Sequence, residues 1–406
     1  MQLWLTSITT VLSSLLIYYY VNNNNNTTTT ITTINNTTAT TTLSPHSNDM
    51  STISKYIKHQ GSILPTYFFS HGGPTFMYEN DSFGNKGAWN KVRTIGQQIK
   101  SLPPRDKPDY IIVVSAHWQS SPGGKQPNTI EIGTTWSNGG NGENALIYDF
   151  YGFPKHMYAE EFHTYNNKAV ADAIKSKLTE SGFSAELTDR GIDHGVWVPF
   201  KVAFSGYNTQ TQPQPDYNEK RALDLPDIAI VQVSLTANDS DFNTHFKLGQ
   251  ALDFFRQNEI WDDLHQKYLK GMVICSGMSV HNLRELGFSM QYMQQNPTAK
   301  GLPYAKQFND LVKLVVESSE TETDNTGGDS KSSPTTSSTL LSKLNDLKKD
   351  PLLRKAHPTL EHFLPLVVAC GIAQDAKQNV KEIYNDELGS LGWGIYQVGN
   401  NIDSKI

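Results

Sequence analysis

The sequence predicts a single α/β domain with a mostly parallel central sheet flanked by helices. Two observations carry that prediction. Short, continuous apolar or β-branched runs stand at Pro65 to Ser70, Asp109 to Ser115, Asp227 to Leu235 and Met272 to Cys275, each long enough for a strand and short for a helix. Amphipathic stretches lie between them, among them Lys168 to Gly182 and Thr244 to Asn258, the latter stopping at an Asn-containing break. Strands that are apolar throughout, rather than alternating, are those buried on both faces of a helix-covered sheet. In such sheets ligands gather beyond the carboxyl ends of the strands.

Composition bounds what the domain does. The chain has 406 residues, a formal net charge of -6 and a hydrophobic share of 37%, enough for one large core or two ordinary ones, and it has no basic excess for nucleic acid. Cys275 and Cys370 are its two cysteines, each inside an apolar stretch, so they read as small buried side chains rather than as a disulfide framework or a thiolate metal site.

Along the chain, residues 1–21 come first, and Leu3 to Val21 carry no charge. The segment is long enough to cross a bilayer but is diluted by Ser and Thr and lacks a basic leader. It reads either as a signal or membrane anchor, which would place the protein at a membrane or on the secretory route, or as a merely apolar start to a cytoplasmic protein. Residues 22–55 are rich in Asn and Thr, and too poor in apolar surface to offset their ordering entropy, so they are expected to be a disordered tether. The folded domain is expected to span 56–406. Within it, 317–338 and Thr209 to Glu219 read as polar surface loops, because apolar periodic sequence continues on both sides.

Four histidines sit just past an apolar run or inside a helix-like one: His71 in SHGGP, His117 in SAHW, His281 in SGMSVHNLRE and His362 in HPTLEHFLP. Imidazoles on rigid elements can converge on one ion, and three of these four fall where the carboxyl-end rule puts a site. Taken singly, each reads as readily as a hydrogen-bonded structural histidine. The glycines of SHGGP would let backbone approach a ligand, and Trp118 beside His117 would wall a dry pocket. His194, in GIDHGVWVPF beside Asp193, suits an oriented acid/base imidazole or a histidine at a helix start. His357 and His362 are five apart, so they are not the HExxH pair of a zincin. No Walker loop, GxGxxG after a strand, GxSxG elbow or CxxC is present, which removes support for nucleotide, hydride, serine-hydrolase and thiol chemistry.

These peptides, with YDFYGFP (Tyr148 to Pro154), RGIDHGVWVPF (Arg190 to Phe200) and AHPTLEHFLPL (Ala356 to Leu366), look like the class III extradiol ring-cleavage dioxygenases, most closely the 4,5-DOPA dioxygenase branch. The match is ordered from Ser70 to Gly371. The resemblance implies that His71 and His117 hold a metal, with His362 the third ligand. His281 would be a fourth ligand or the acid/base, and His194 would contact substrate or share proton transfer. The wider family often places a carboxylate third, whereas here the place falls to His362 with Glu361 beside it, so the all-histidine set suits zinc as readily as iron.

One divalent ion per chain is implied, Fe(II) if the reaction is ring cleavage and Zn(II) as the alternative, because zinc has no accessible redox state. The implied reaction inserts both atoms of O2 into a catechol such as DOPA beside its two hydroxyls, giving a muconate semialdehyde. Tyr148, Phe150, Tyr151, Phe153, Trp118 and Trp197 suit a planar phenol, and Tyr148 and Tyr151 offer hydroxyls to its carboxylate or amine, though ordinary packing explains each as well. Two readings from other classes stand beside this one: a non-redox zinc hydrolase using a metal-bound water, and a non-catalytic interaction protein on the same scaffold.

Overall fold

Eight strands build one central sheet. In chain order they are β1 (Thr66–Ser70), β2 (Tyr110–Gln119), β3 (Thr129–Thr134), β4 (Ser184–Asp189), β5 (Ala229–Leu235), β6 (Gly271–Gly277), β7 (Val380–Tyr384) and β8 (Ile395–Val398), arranged β7-β8-β1-β6-β2-β5-β3-β4. The central run β1, β6, β2, β5 is parallel throughout, as is the outer pair β3 and β4. β7 and β8 add an antiparallel edge, and β3 meets β5 at an antiparallel bridge between Ile132 and Val233. The α/β reading of the sequence is therefore the fold.

The computed structural model describes residues 53–121, 123, 125–205, 223–318 and 339–402. The apolar segment 1–21, residues 22–52 of the Asn/Thr stretch, the loop at Thr209 to Glu219 and all of the 317–338 insert beyond Ser318 lie outside the described residues. Among the described residues no helix is long and apolar enough to cross a membrane.

The four expected strands and both expected helices are present. The helices run Lys168–Glu180 and Phe242–Gln257, started by the side chains of Asn167 and Asp241, each of which accepts a backbone N–H of the first turn. β2 extends past its apolar run, so His117 lies within the strand. The strands that sequence reading missed are short or polar: Ser184–Asp189 is only half-buried.

Side-chain alternation divides two cores. Tyr110, Ile112 and Val114 face one core with the helices Phe242–Gln257 and Leu364–Ala376, and Ile111 and Val113 face the other with the helices Lys86–Ser101 and His194–Phe204. Close backbone approach then brings three segments together at one end of the sheet. His71 N–H donates to Gly277 O at 2.9 Å, and Met278 N–H to His362 O at 2.9 Å. A Cβ on Gly277 would stand 2.2 Å from His362 O, so only glycine fits there.

His357 belongs to the core rather than to any site. It is fully buried, with Nε2–H donating to Ser279 O at 2.9 Å, and burial pushes its pKa down from 6.5 to about 4. The folded chain keeps this ring neutral where the unfolded chain protonates it, so its contribution to stability is intact above about pH 6.5 and is lost as the pH falls towards 4. The full loss is of order 3 kcal/mol. In urea titrations between pH 4 and 7, His357→Gln is expected to show a shallower loss of stability with acid than the parent chain; an unchanged slope would show that His357 does not titrate on unfolding.

Candidate metal centre

The alternation that divides the cores also aims the site. Tyr67 and Phe69 of β1, Ile111 and Val113 of β2, and Met272 and Ile274 of β6 share one core. Continuing each series by even steps puts His71, Ser115, His117 and Ser276 on that same face. The helix His194–Phe204 covers this face and is buried along its whole length. Asp193 occupies its N-cap position and accepts from Ser115 Oγ at 2.7 Å and from Arg190 Nη2 at 3.2 Å, which ties the helix start to β2. His362 comes from the turn before the helix Leu364–Ala376.

Three imidazoles converge through the same atom. His117 Nε2 lies 3.1 Å from His71 Nε2 and 3.2 Å from His362 Nε2. Each ring has its other nitrogen occupied. His71 Nδ1 is 2.9 Å from Ser276 Oγ, whose own hydrogen goes to Gly195 O, so His71 must be the donor and its Nε2 carries a lone pair. His362 Nδ1 donates to Glu361 Oε1 at 3.0 Å, and His117 Nδ1 forms an ion-pair contact of 3.2 Å with Asp149 Oδ2.

Neutral rings held in this way would bring three lone pairs together, which only a proton or a cation relieves. Ligands on a tetrahedral ion with bonds of about 2.1 Å stand about 3.4 Å apart, close to the spacings seen here. The donor set therefore fits a divalent metal.

The remaining histidines flank this centre on opposite sides. His194 Nδ1 stands 2.8 Å from Asp149 Oδ1, its ring centroid is 4.0 Å from that of His117, and its ligand atom groups with those of His71 and His117 within 4.8 Å. His281 lies flat on His362, centroids 3.6 Å apart, and groups with His362 and Glu361 within the same span.

The electrostatics separate one ring from the others. Burial, then the neighbouring imidazoles, pushes His71, His281 and His362 well below the ordinary histidine range. Burial and His117 also lower His194, with Asp149 opposing them. His117 alone moves up: burial pulls it down, but Asp149, Asp193 and Glu361 outweigh that. Burial would raise Asp149, yet His194 and His117 hold it well below the carboxylate range. The side chains of His117 and Asp149 are 21% and 14% exposed and that of Glu361 is 21% exposed, so the cluster reaches solvent on both flanks.

The aromatic residues divide. Phe150 stands edge-on to His194 at 5.8 Å and packs with Tyr158 at 5.0 Å. Tyr148 packs edge-on to Trp197 at 5.4 Å and donates its hydroxyl to Glu160 O at 2.6 Å. Tyr151 is on the surface of the same loop, 46% exposed. The ring of Trp118 carries the guanidinium of Arg190 at 4.3 Å. Gly72 of SHGGP adopts φ +64° against Trp393, so its glycine serves packing rather than ligand approach.

Sequence reading missed Asp149 and Ser276, which fix the rings; the acid inside YDFYG was a visible signal for the first, and nothing local marked the second.

Residues 65–396 match the family described as the catalytic LigB subunit of aromatic ring-opening dioxygenase. A 4,5-DOPA dioxygenase extradiol-like protein of Schizosaccharomyces pombe is 30% identical over 329 residues, covering 78% of this chain and 88% of its own. The 4,5-DOPA dioxygenase extradiol of Beta vulgaris is 28% identical over 345 residues, covering 83% and 97%. The crystal structure of an uncharacterized Escherichia coli K12 protein superposes with a TM-score of 0.50 at 20% identity, over 83% of this chain and 100% of that one.

Removing the hydroxyl that orders His71 tests the centre without touching a ring. Ser276→Ala is expected to weaken Zn(II) binding about 10- to 100-fold in chelator competition, as loss of a ligand's hydrogen-bond partner does elsewhere. Affinity equal to the parent's would mean that His71 is oriented by packing alone.

Proposed function

The chain belongs to the family of the catalytic LigB subunit of aromatic ring-opening dioxygenase, and from that premise we propose that it is an extradiol dioxygenase opening a catechol such as DOPA beside its two hydroxyls. The convergence of three Nε2 atoms, with a fourth imidazole held next to them by Asp149, carries this reading. Both atoms of O2 enter the product, a muconate semialdehyde.

His71, His117 and His362 would hold the ion through Nε2, with His281, stacked on His362, as a further ligand. Bound there, Fe(II) supplies the redox chemistry that couples a chelated catechol to O2, which Zn(II) lacks.

The residues of the chain do the rest. His194 Nδ1 faces Asp149, so Nε2 is the ring atom that accepts a catechol hydroxyl proton and later returns one. Its depressed basicity keeps the ring neutral, and hence able to accept, at neutral pH. Phe150 and Tyr158, backed by Tyr148 and Trp197, form an apolar wall on the His194 side that suits a planar ring and limits water. The Tyr151 hydroxyl, at the rim, meets the amine or carboxylate tail of a DOPA-like substrate.

The full chain, stripped of metal and reloaded anaerobically, is expected to consume one O2 per catechol with Fe(II) and none with Zn(II), forming a yellow ring-opened product. Failure of the Fe(II) protein to take up O2 with any catechol would sink the assignment, and oxygen-independent ester or amide hydrolysis by the zinc form would replace it.

Two substitutions sort the roles. His194→Gln is expected to lower kcat by about 10²- to 10⁴-fold at unchanged metal content. Tyr151→Phe is expected to raise KM for DOPA while leaving simple catechol unaffected; equal turnover of both would remove Tyr151 from the substrate site.

A further inference from the structure

We propose that Asp149 is a positioning residue that ties the metal-holding ring of His117 to the proton-carrying ring of His194, one carboxylate oxygen to each. The inference rests on the reading of the centre as a metal and catechol site. Oδ2 stands 3.2 Å from His117 Nδ1. Oδ1 accepts from the backbone N–H of His194 at 2.9 Å and lies 2.8 Å from Nδ1 of the same residue. The backbone N–H makes the directed bond, while the ring nitrogen meets the same oxygen obliquely and makes no linear hydrogen bond to it. The carboxylate is thus fixed to the helix start, and both rings are set from it.

The loop that carries Asp149 is clamped to one helix at two points. Asp149 grips its first residue, His194. Further along, Lys201 Nζ donates to Glu160 Oε2 at 2.6 Å and to Glu161 O at 2.7 Å. That ion pair is almost fully buried, the two side chains being 6% and 1% exposed. Tyr78 donates to the other oxygen of Glu160 at 2.9 Å, and Tyr148 donates to its carbonyl at 2.6 Å. A buried ion pair contributes little net stability over an apolar pair, but it is intolerant of displacement. The strap from Tyr148 to Glu160 is therefore held in register with the helix that bears His194, and Asp149 inherits that register.

Asp149 differs in this from the other partners of the rings. Ser276 and Glu361 each hold one imidazole, His71 and His362 respectively. Asp149 alone among them touches a ring on each side of the division between holding the ion and moving the proton. An asparagine there would remove the negative charge that both rings face and leave one acceptor oxygen in place of two, so neither contact would be kept as it is.

The test measures Zn(II) affinity by chelator competition and histidine ring tautomers by nitrogen-15 NMR of the zinc-loaded full chain, in the parent, Asp149→Asn and Glu361→Gln. Asp149→Asn is expected to weaken zinc binding about 10- to 100-fold and to remove the Nδ1-protonated form of His194. Glu361→Gln is expected to weaken binding while leaving the His194 ring as in the parent. With saturating Fe(II) and a catechol, Asp149→Asn should lower kcat more than Glu361→Gln does, with KM little changed.

Parent-like affinity and tautomers in Asp149→Asn would overturn the proposal, as would a change confined to one ring. If that variant does not fold, the parent spectrum decides. Nδ1 protonation of both His117 and His194 supports the tie, and Nε2 protonation of His194 overturns it. If the parent cleaves no catechol, the enzyme assignment falls, while affinity and tautomers still judge Asp149.

Discussion

Three imidazole lone pairs cannot meet, with His117 Nε2 3.1 Å from His71 Nε2 and 3.2 Å from His362 Nε2, unless positive charge sits among them, and the architecture around His71, His117 and His362 is organised to keep them there. Each ring would escape by turning over and presenting an N–H. Ser276, Asp149 and Glu361 prevent this by occupying the opposite nitrogens. Burial removes the other escape, protonation, from His71 and His362. His117, against its burial, is pushed towards protonation by Asp149, Asp193 and Glu361, but one proton cannot lie on the line to both neighbours, whereas a cation satisfies all three.

That arrangement depends on strand alternation more than on any local motif. β1, β2 and β6 are adjacent and parallel, so their carboxyl ends arrive together, and the parity of each strand decides which side chains look towards the helix His194–Phe204. The series Tyr67, Phe69, His71 and the series Ile111, Val113, Ser115, His117 each pass from core packing to chemistry without changing face. Gly277 then sets the distance between layers, because any side chain there would push His362 away.

What could be read from the sequence follows the range of the interaction. The strands at Asp109 to Ser115 and Asp227 to Leu235 announced themselves because burial on both faces leaves a continuous apolar run, and the histidines beyond such runs were found by position. Ser184–Asp189 and Ile395–Val398 are too polar or too short to give such a signal. Ser276 and Asp149 act on rings more than a hundred and about thirty residues or more away respectively, across contacts that no spacing rule encodes. The clamp of Glu160 on Lys201 is equally silent, since a lysine inside an apolar stretch reads as a snorkelling surface residue until its partner is known. His194 was found as an acid/base candidate from its neighbours, but only the fold shows how closely it packs on His117.

On the proposed reading, with His362 where the resemblance implies a carboxylate ligand, the donor set would carry no charge of its own, and the surrounding residues would compensate. Neutral imidazoles would leave a divalent ion with its full charge. Asp149 and Glu361 stand against Nδ1 of His117 and Nδ1 of His362, on the side of each ring away from the cluster. Two carboxylates there would balance a divalent ion, as a site beside a buried core requires. On the same reading, a catechol proton passed to His194 would place positive charge on the imidazole facing Asp149. Asp149 would then meet the new imidazolium, so that proton transfer to His194 would separate charge over a short, already polarised path. A carboxylate standing outside the ligand set would be free to face both rings, as Asp149 does.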